Sequence, residues 1–93
     1  MSQVLETLWN TIEDRKQNPR PGSYTASLFD AGMPRIAQKV GEEGVETAVA
    51  ALSQSDDRVI AELADLMYHC LVLLSARNLQ WADVETELAR RFR

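Results

Sequence analysis

Two short acidic runs carry most of the chemistry this sequence can offer. Glu42, Glu43 and Glu46 read Glu-Glu-x-x-Glu, and Glu62 and Asp65 read Glu-x-x-Asp. Positions three and four apart on a helix share a face, so Glu43 projects with Glu46 and Glu62 with Asp65. Laid out at about 100° per residue, Arg58, Glu62, Asp65 and His69 form one polar stripe on an otherwise apolar helix. On the earlier helix Arg35, Lys39, Glu42, Glu43 and Glu46 gather on one side, opposite Ala37, Val40, Gly44, Ala48 and Ala51.

A hairpin that turns both stripes inward makes four carboxylates converge, and close like charges drive one another to protonate unless a cation intervenes. Oxygen ligands suit a hard divalent ion, and magnesium is favoured where a phosphorylated substrate completes the shell. One His and one Cys do not make the usual zinc shell. The plainer alternative is a solvated face, with Lys39 giving i,i+3 and i,i+4 relief to Glu42 and Glu43. Compensation of a helix macrodipole does not explain these acids, because they fall two or more turns beyond a helix start at Pro34.

The elements that would position these residues are helices. Val4, Leu5, Leu8, Trp9 and Ile12 recur at helical spacing, predicting a first amphipathic helix from Val4 to about Gln17. Pro19 and Pro21 end it, and a connecting loop is expected through Ser23, Tyr24 and Thr25. Ala26 to Asp30 predicts a short turn of helix closed by Gly32. Pro34 to about Leu52 is the second main helix, and Ser55 or Asp56 caps a third that runs to Arg77. Asn78 is expected as a left-handed cap, and Asp83 to Phe92 as a short final helix. The expected fold is all-α, a four-helix antiparallel bundle with at most one extra turn.

The bulk properties narrow the class. Ninety-three residues leave room for one domain, spanning 1–93, close to the size at which a lone core is marginal. The stretch from Leu66 to Leu74 is apolar in nearly every direction, as a helix buried on several sides requires. Pairing with a second subunit is preferred over a central helix in a monomer, so a homodimer is expected. A net charge of −4 argues against broad capture of a nucleic-acid backbone. Cys70 is the only cysteine, which fits a reducing, cytoplasmic setting. The start Met-Ser-Gln-Val-Leu-Glu lacks the marks of a signal peptide, and His69 interrupts the longest apolar run, so neither export nor a membrane span is expected.

At the acids the sequence resembles the all-helical MazG-type nucleotide pyrophosphohydrolases, whose signature is Glu-Glu-x-x-Glu followed by Glu-x-x-Asp. The surroundings are more specific. Ser23-Tyr24-Thr25-Ala26-Ser27-Leu28-Phe29, Lys39-Val40-Gly41-Glu42-Glu43 and Ala64-Asp65-Leu66-Met67-Tyr68-His69 resemble the phosphoribosyl-ATP pyrophosphohydrolase family of histidine biosynthesis, over nearly the whole chain. The resemblance implies hydrolysis of 1-(5-phosphoribosyl)-ATP to 1-(5-phosphoribosyl)-AMP and pyrophosphate, the second step of that pathway. In some members the activity is fused to the following cyclohydrolase, for which this chain is too short.

By that resemblance Glu43, Glu46, Glu62 and Asp65 are assigned as magnesium ligands, and Glu42 as a supporting ligand or general base. Ser23, Tyr24 and Thr25 are substrate-loop candidates on the same ground. Lys39 reaches a phosphate or balances Glu42 and Glu43. Arg15, Lys16 and Arg20 flank the proline loop and either grip the phosphoribosyl and triphosphate groups or complement a helix dipole. His69 orients a carboxylate, contacts substrate or, the reading preferred, is a hydrogen-bonded core residue. Two alternatives stay open: a MazG-type housecleaning hydrolase of nucleoside triphosphates, and a metal-stabilised helical interaction module.

Overall fold

The computed structural model describes residues 2–92 and is all-helical, with no strand among the described residues. The order is α1 (Gln3–Gln17), α2 (Tyr24–Ala31), α3 (Met33–Ser53), α4 (Asp56–Ala76) and α5 (Trp81–Arg91).

Each start has a local cause. The Ser2 hydroxyl accepts the Leu5 amide at 3.2 Å to open α1, and the Ser55 hydroxyl accepts from Arg58 to open α4. The second element differs most from the expectation. The Ser23 hydroxyl accepts the Ala26 amide at 3.1 Å, so a helix of eight residues begins at Tyr24 where a loop was expected to run on to Thr25. Four helices and a turn thereby become five helices. Gly32, at φ 91°, closes α2, and Pro34 lies in the first turn of α3, where its missing amide costs nothing. Asn78 takes the left-handed conformation at φ 58° beyond α4. The last helix starts at Trp81 rather than Asp83, because the Asp83 carboxylate accepts the Gln80 amide at 2.8 Å.

The long helices α3 and α4 form a hairpin joined by Gln54 and Ser55, with α1 packed on α2 and α4, and α2 on α3. Ile12, Leu28, Ile36, Leu71 and Val72 are the centre of the core, one or two from each of the first four helices. Trp9, Met33, Tyr68 and Trp81 pack around them. A polar tie crosses from α1 to the end of α4: Lys16 Nζ donates to the Ser75 carbonyl at 2.6 Å and to Asn78 Oδ1 at 2.9 Å, while the Ser75 hydroxyl donates to Glu13 at 2.6 Å.

Although His69 interrupts its apolar run, α4 is by length and composition alone long and apolar enough to cross a bilayer, with a mean hydropathy of 1.6. Its stripe of Arg58, Glu62, Asp65 and His69 and its packing along α3 are instead those of a helix shared by a protein core and a polar site. α4 is nevertheless not surrounded within one chain. Ile60 is 66% and Leu63 49% exposed, and α3 leaves Val45, Val49 and Leu52 exposed as well.

Candidate active site

The α3–α4 hairpin turns the two acidic faces toward one another. Carboxylate oxygens of Glu43, Glu62 and Asp65 lie within 4.8 Å of each other. Glu43 and Glu62 are buried, at 6% and 7% exposure, whereas Asp65 is open to solvent. Glu46 borders the group: contact with the Glu43 carboxylate, and then with that of Glu62, holds its carboxyl above the ordinary range. Glu42 stands apart. It accepts from Gln38 at 2.9 Å and pairs with Lys39, and the two hold its carboxyl below the ordinary range.

Two cations face these acids. Lys39 Nζ lies 3.3 Å from Glu42 and 3.4 Å from Glu43. Partial desolvation works against its charge, yet the bonds to Glu42 and Glu43 and the nearness of Tyr24 hold the ammonium above the usual lysine range. Arg58 pairs with Glu62 one turn along α4.

The pairing is incomplete. One oxygen of Glu43 and one of Glu62, both Oε2, are buried without a hydrogen-bond partner. A buried carboxylate oxygen left unpaired is costly. Two such atoms, beside Asp65 and with Glu46 at the border of the group, fit a divalent cation held by oxygen ligands. A zinc shell does not fit, since both ring nitrogens of the single histidine are engaged elsewhere: His69 Nδ1 lies 2.7 Å from the Asp65 carbonyl and Nε2 lies 3.0 Å from the Tyr24 hydroxyl.

The residues singled out for substrate fall in three places. Tyr24 and Thr25, in the first turn of α2, face α4: Tyr24 meets His69, and the Thr25 hydroxyl meets that of Tyr68. Lys16, Arg20 and Ser23 line an open cavity of about 560 Å³ under the proline loop, together with Ser27 and Phe29. Asp30 also lines that cavity, but none of Glu42, Glu43, Glu46, Glu62 and Asp65 does; Glu42 and Glu46 edge a separate shallow hollow with Gln38, Gly41 and Val45. Arg15 is turned to Asp14. Lys16 serves a helix C-terminus, though that of α4 and not its own, and Ser23 caps α2. Arg20 is the most exposed of the three basic residues and has only a 3.9 Å approach to Asp14.

His69 is the hydrogen-bonded core residue that its place on the α4 stripe suggests, 4% exposed, and it joins Tyr24 to the Asp65 carbonyl. Tyr68, packed against the core, holds the Thr25 hydroxyl. The spacing of His69 four residues after Asp65 was legible, but its second contact, to a residue 45 positions earlier, is a tertiary fact.

With this geometry in view, comparison with known proteins is informative. Residues 5–92 match the family model for phosphoribosyl-ATP pyrophosphohydrolase. A phosphoribosyl-ATP pyrophosphatase of Pyrobaculum calidifontis is 51% identical over 90 residues, covering 97% of this chain and 96% of that protein. One from Sulfurisphaera tokodaii is 48% identical over 92 residues, covering 99% and 98%. The histidine biosynthesis bifunctional protein HisIE of Xylella fastidiosa is 50% identical over 91 residues, which are 98% of this chain and 44% of that protein. Because the match runs through both acidic runs, the α2 start and the hairpin between them, the chain belongs to the phosphoribosyl-ATP pyrophosphohydrolase family.

Proposed function

We propose that this protein hydrolyses 1-(5-phosphoribosyl)-ATP to 1-(5-phosphoribosyl)-AMP and pyrophosphate, the second step of L-histidine biosynthesis, with magnesium held by Glu43, Glu46, Glu62 and Asp65. Family membership supports the substrate. The observation that carries the metal reading is the pair of buried, unpartnered oxygens on Glu43 and Glu62.

The reaction breaks the anhydride between the α and β phosphates: water oxygen joins the phosphorus of the monophosphate product and pyrophosphate departs. Magnesium, when bound, supplies charge neutralisation at phosphate oxygens and a more acidic water. The chain's own residues do the rest. Lys39 directs an ammonium at the mouth of the acid cluster, where it meets a phosphate oxygen at the cost of its contact with Glu42. Glu42 is then free to take a proton from water or to support the ligand set. Arg20 and the cavity beneath the proline loop receive the phosphoribosyl end, and Tyr24 and Thr25, which follow the cavity residue Ser23 and bond to α4, stand on the side of α2 that faces the helix of Glu62 and Asp65.

The test is pyrophosphate release by the purified protein, with and without magnesium, from phosphoribosyl-ATP and from common nucleoside triphosphates at equal concentration. Magnesium-dependent release from phosphoribosyl-ATP alone is expected. Release from the ordinary triphosphates instead would point to a housecleaning hydrolase, and no release by a folded, metal-loaded protein to a non-catalytic helical module.

The same reading covers assembly and setting. Residues 1–93 form one MazG-type helical bundle domain that pairs as a homodimer in the cytoplasm. Support for pairing is the apolar surface along the hairpin, Val45, Val49 and Leu52 on α3 and Ile60 and Leu63 on α4. Support for the cytoplasm is the single free thiol, Cys70, whose partial burial pushes its pKa up and disfavours the reactive thiolate. Leu52 is 89% exposed in one chain, so Leu52→Lys should leave the monomer fold intact and break the dimer. Light scattering should then read 10.5 kDa where the unaltered protein reads twice that. An unaltered protein that already scatters as a monomer would remove the dimer from this account.

A further inference from the structure

Tyr24, His69 and the Asp65 backbone form a chain of hydrogen bonds that ties the first turn of α2 to α4. The Asp65 carbonyl can only accept, so the ring proton of a neutral His69 sits on Nδ1, 2.7 Å away. Nε2 is then the acceptor, and the Tyr24 hydroxyl 3.0 Å from it must donate. With the ring neutral, that one carbonyl sets both donors in the chain.

The ring is also clamped. His69 is 4% exposed and lies edge-on to Tyr68 at 4.8 Å and 76°, and to Tyr24 at 5.9 Å and 79°. Tyr24, by contrast, is 48% exposed. A buried, oriented imidazole thus holds a phenol whose other edge faces solvent. Having given its proton inward, the phenolic oxygen presents only lone pairs outward.

We propose that His69 is a positioning residue for the hydrolysis: it holds the Tyr24 phenol so that its oxygen serves the substrate as a hydrogen-bond acceptor, matched to a sugar hydroxyl and not to a phosphate. This rests on the reading above that Tyr24 faces the substrate and that the acid cluster is the catalytic centre. His69 itself touches no reacting atom. Its effect passes through Tyr24, and its anchor on the backbone of Asp65 keeps the first turn of α2 in register with the acids of α4.

The experiment is a double-mutant cycle in the full chain with magnesium and phosphoribosyl-ATP, reading kcat, KM and Tm for Tyr24→Phe, His69→Leu, the double variant and His69→Gln. Tyr24→Phe should raise KM about tenfold, as loss of one substrate hydrogen bond does, with a smaller change in kcat. His69→Leu should raise KM by a similar factor and also lower Tm. The double variant should be no worse in KM than the poorer single, because both remove the same interaction. His69→Gln, whose amide oxygen can accept from the phenol, should recover most of the KM. Effects on KM that multiply in the double variant overturn the proposal, as does a loss of Tm in His69→Leu with KM unchanged. If His69→Leu fails to fold, Tyr24→Phe and His69→Gln still decide: an unchanged KM in the first, or no recovery in the second, is contrary. An unaltered protein that releases no pyrophosphate overturns the proposed function, and this inference with it. Normal turnover by the unaltered protein with a failed cycle overturns only the role of His69.

Discussion

Glu43→Gln should lower kcat/KM by roughly 10²–10³-fold, the scale of losing one group that stabilises transition-state charge, while leaving the metal-free protein as stable as before or more so. The two halves of this expectation come from the same atoms. Glu43 is buried at 6% exposure with one oxygen unpartnered, and it crowds Glu46 and Glu62. Replacing it with the neutral amide of the same shape relieves like-charge repulsion and lowers the cost of burying an unpaired polar atom. The rise in Tm on adding magnesium, expected for any ion that binds only the folded state, should shrink or vanish in the variant. Calorimetry with and without magnesium, beside a turnover assay, checks both parts. A variant that loses Tm without magnesium and keeps its turnover would show that Glu43 serves the fold through Lys39 and not the reaction.

Glu42 is the informative comparison. It is exposed, satisfied by Gln38 and Lys39, and outside the group of converging oxygens. These contacts make it a poor first choice as metal ligand, and its exposure leaves it open to a water. Glu42→Gln separates the two roles assigned to it: a large fall in kcat with magnesium affinity retained marks a base, and a modest loss of both marks a supporting group.

How much of this was legible in the sequence depends on the range of the interaction. The faces of α3 and α4 follow from helical periodicity, and the convergence of Glu43, Glu62 and Asp65 follows once a two-residue link forces those helices to lie side by side. The start of α2 is not legible locally, because Ser23 follows two prolines and a glycine and reads as loop. Its hydroxyl instead satisfies an orphan amide, and that cap converts Tyr24 and Thr25 from loop into helix. Lys16 reads locally as a phosphate contact or a complement to its own helix dipole, whereas its partners lie 59 and 62 residues away at the end of α4. Local pattern identifies which residues can do chemistry; which partner each one finds is decided by packing between elements far apart in the chain. His69 illustrates both sides: its bond to the carbonyl one turn back is local, and its bond to Tyr24 is not.

Leu71→Ala should cost about 2–5 kcal/mol of unfolding free energy, the usual range for truncating a buried leucine. A domain of this length holds about 5–14 kcal/mol in all, so this one change removes a large share of its stability. Leu71 is fully buried at 0% exposure, on the flank of α4 away from the acids, packed with Ile12, Leu28, Ile36 and Val72. Loss of its side chain leaves a space that four different helices must relax to fill, and close-packed helices relax little. Leu52→Ala makes the same chemical change at a site 89% exposed and should cost almost nothing within one chain. Urea titrations at several protein concentrations separate the two effects. The Leu71→Ala midpoint should fall at every concentration with the slope unchanged, because the core has lost contacts without changing the area exposed on unfolding. The Leu52→Ala midpoint should fall chiefly by losing its dependence on concentration, because any stability contributed by Leu52 comes through association. A Leu71→Ala cost below about 1 kcal/mol would mean that the core is not centred where α1, α2, α3 and α4 meet, and the register that brings the acids of α3 and α4 together would lose its support.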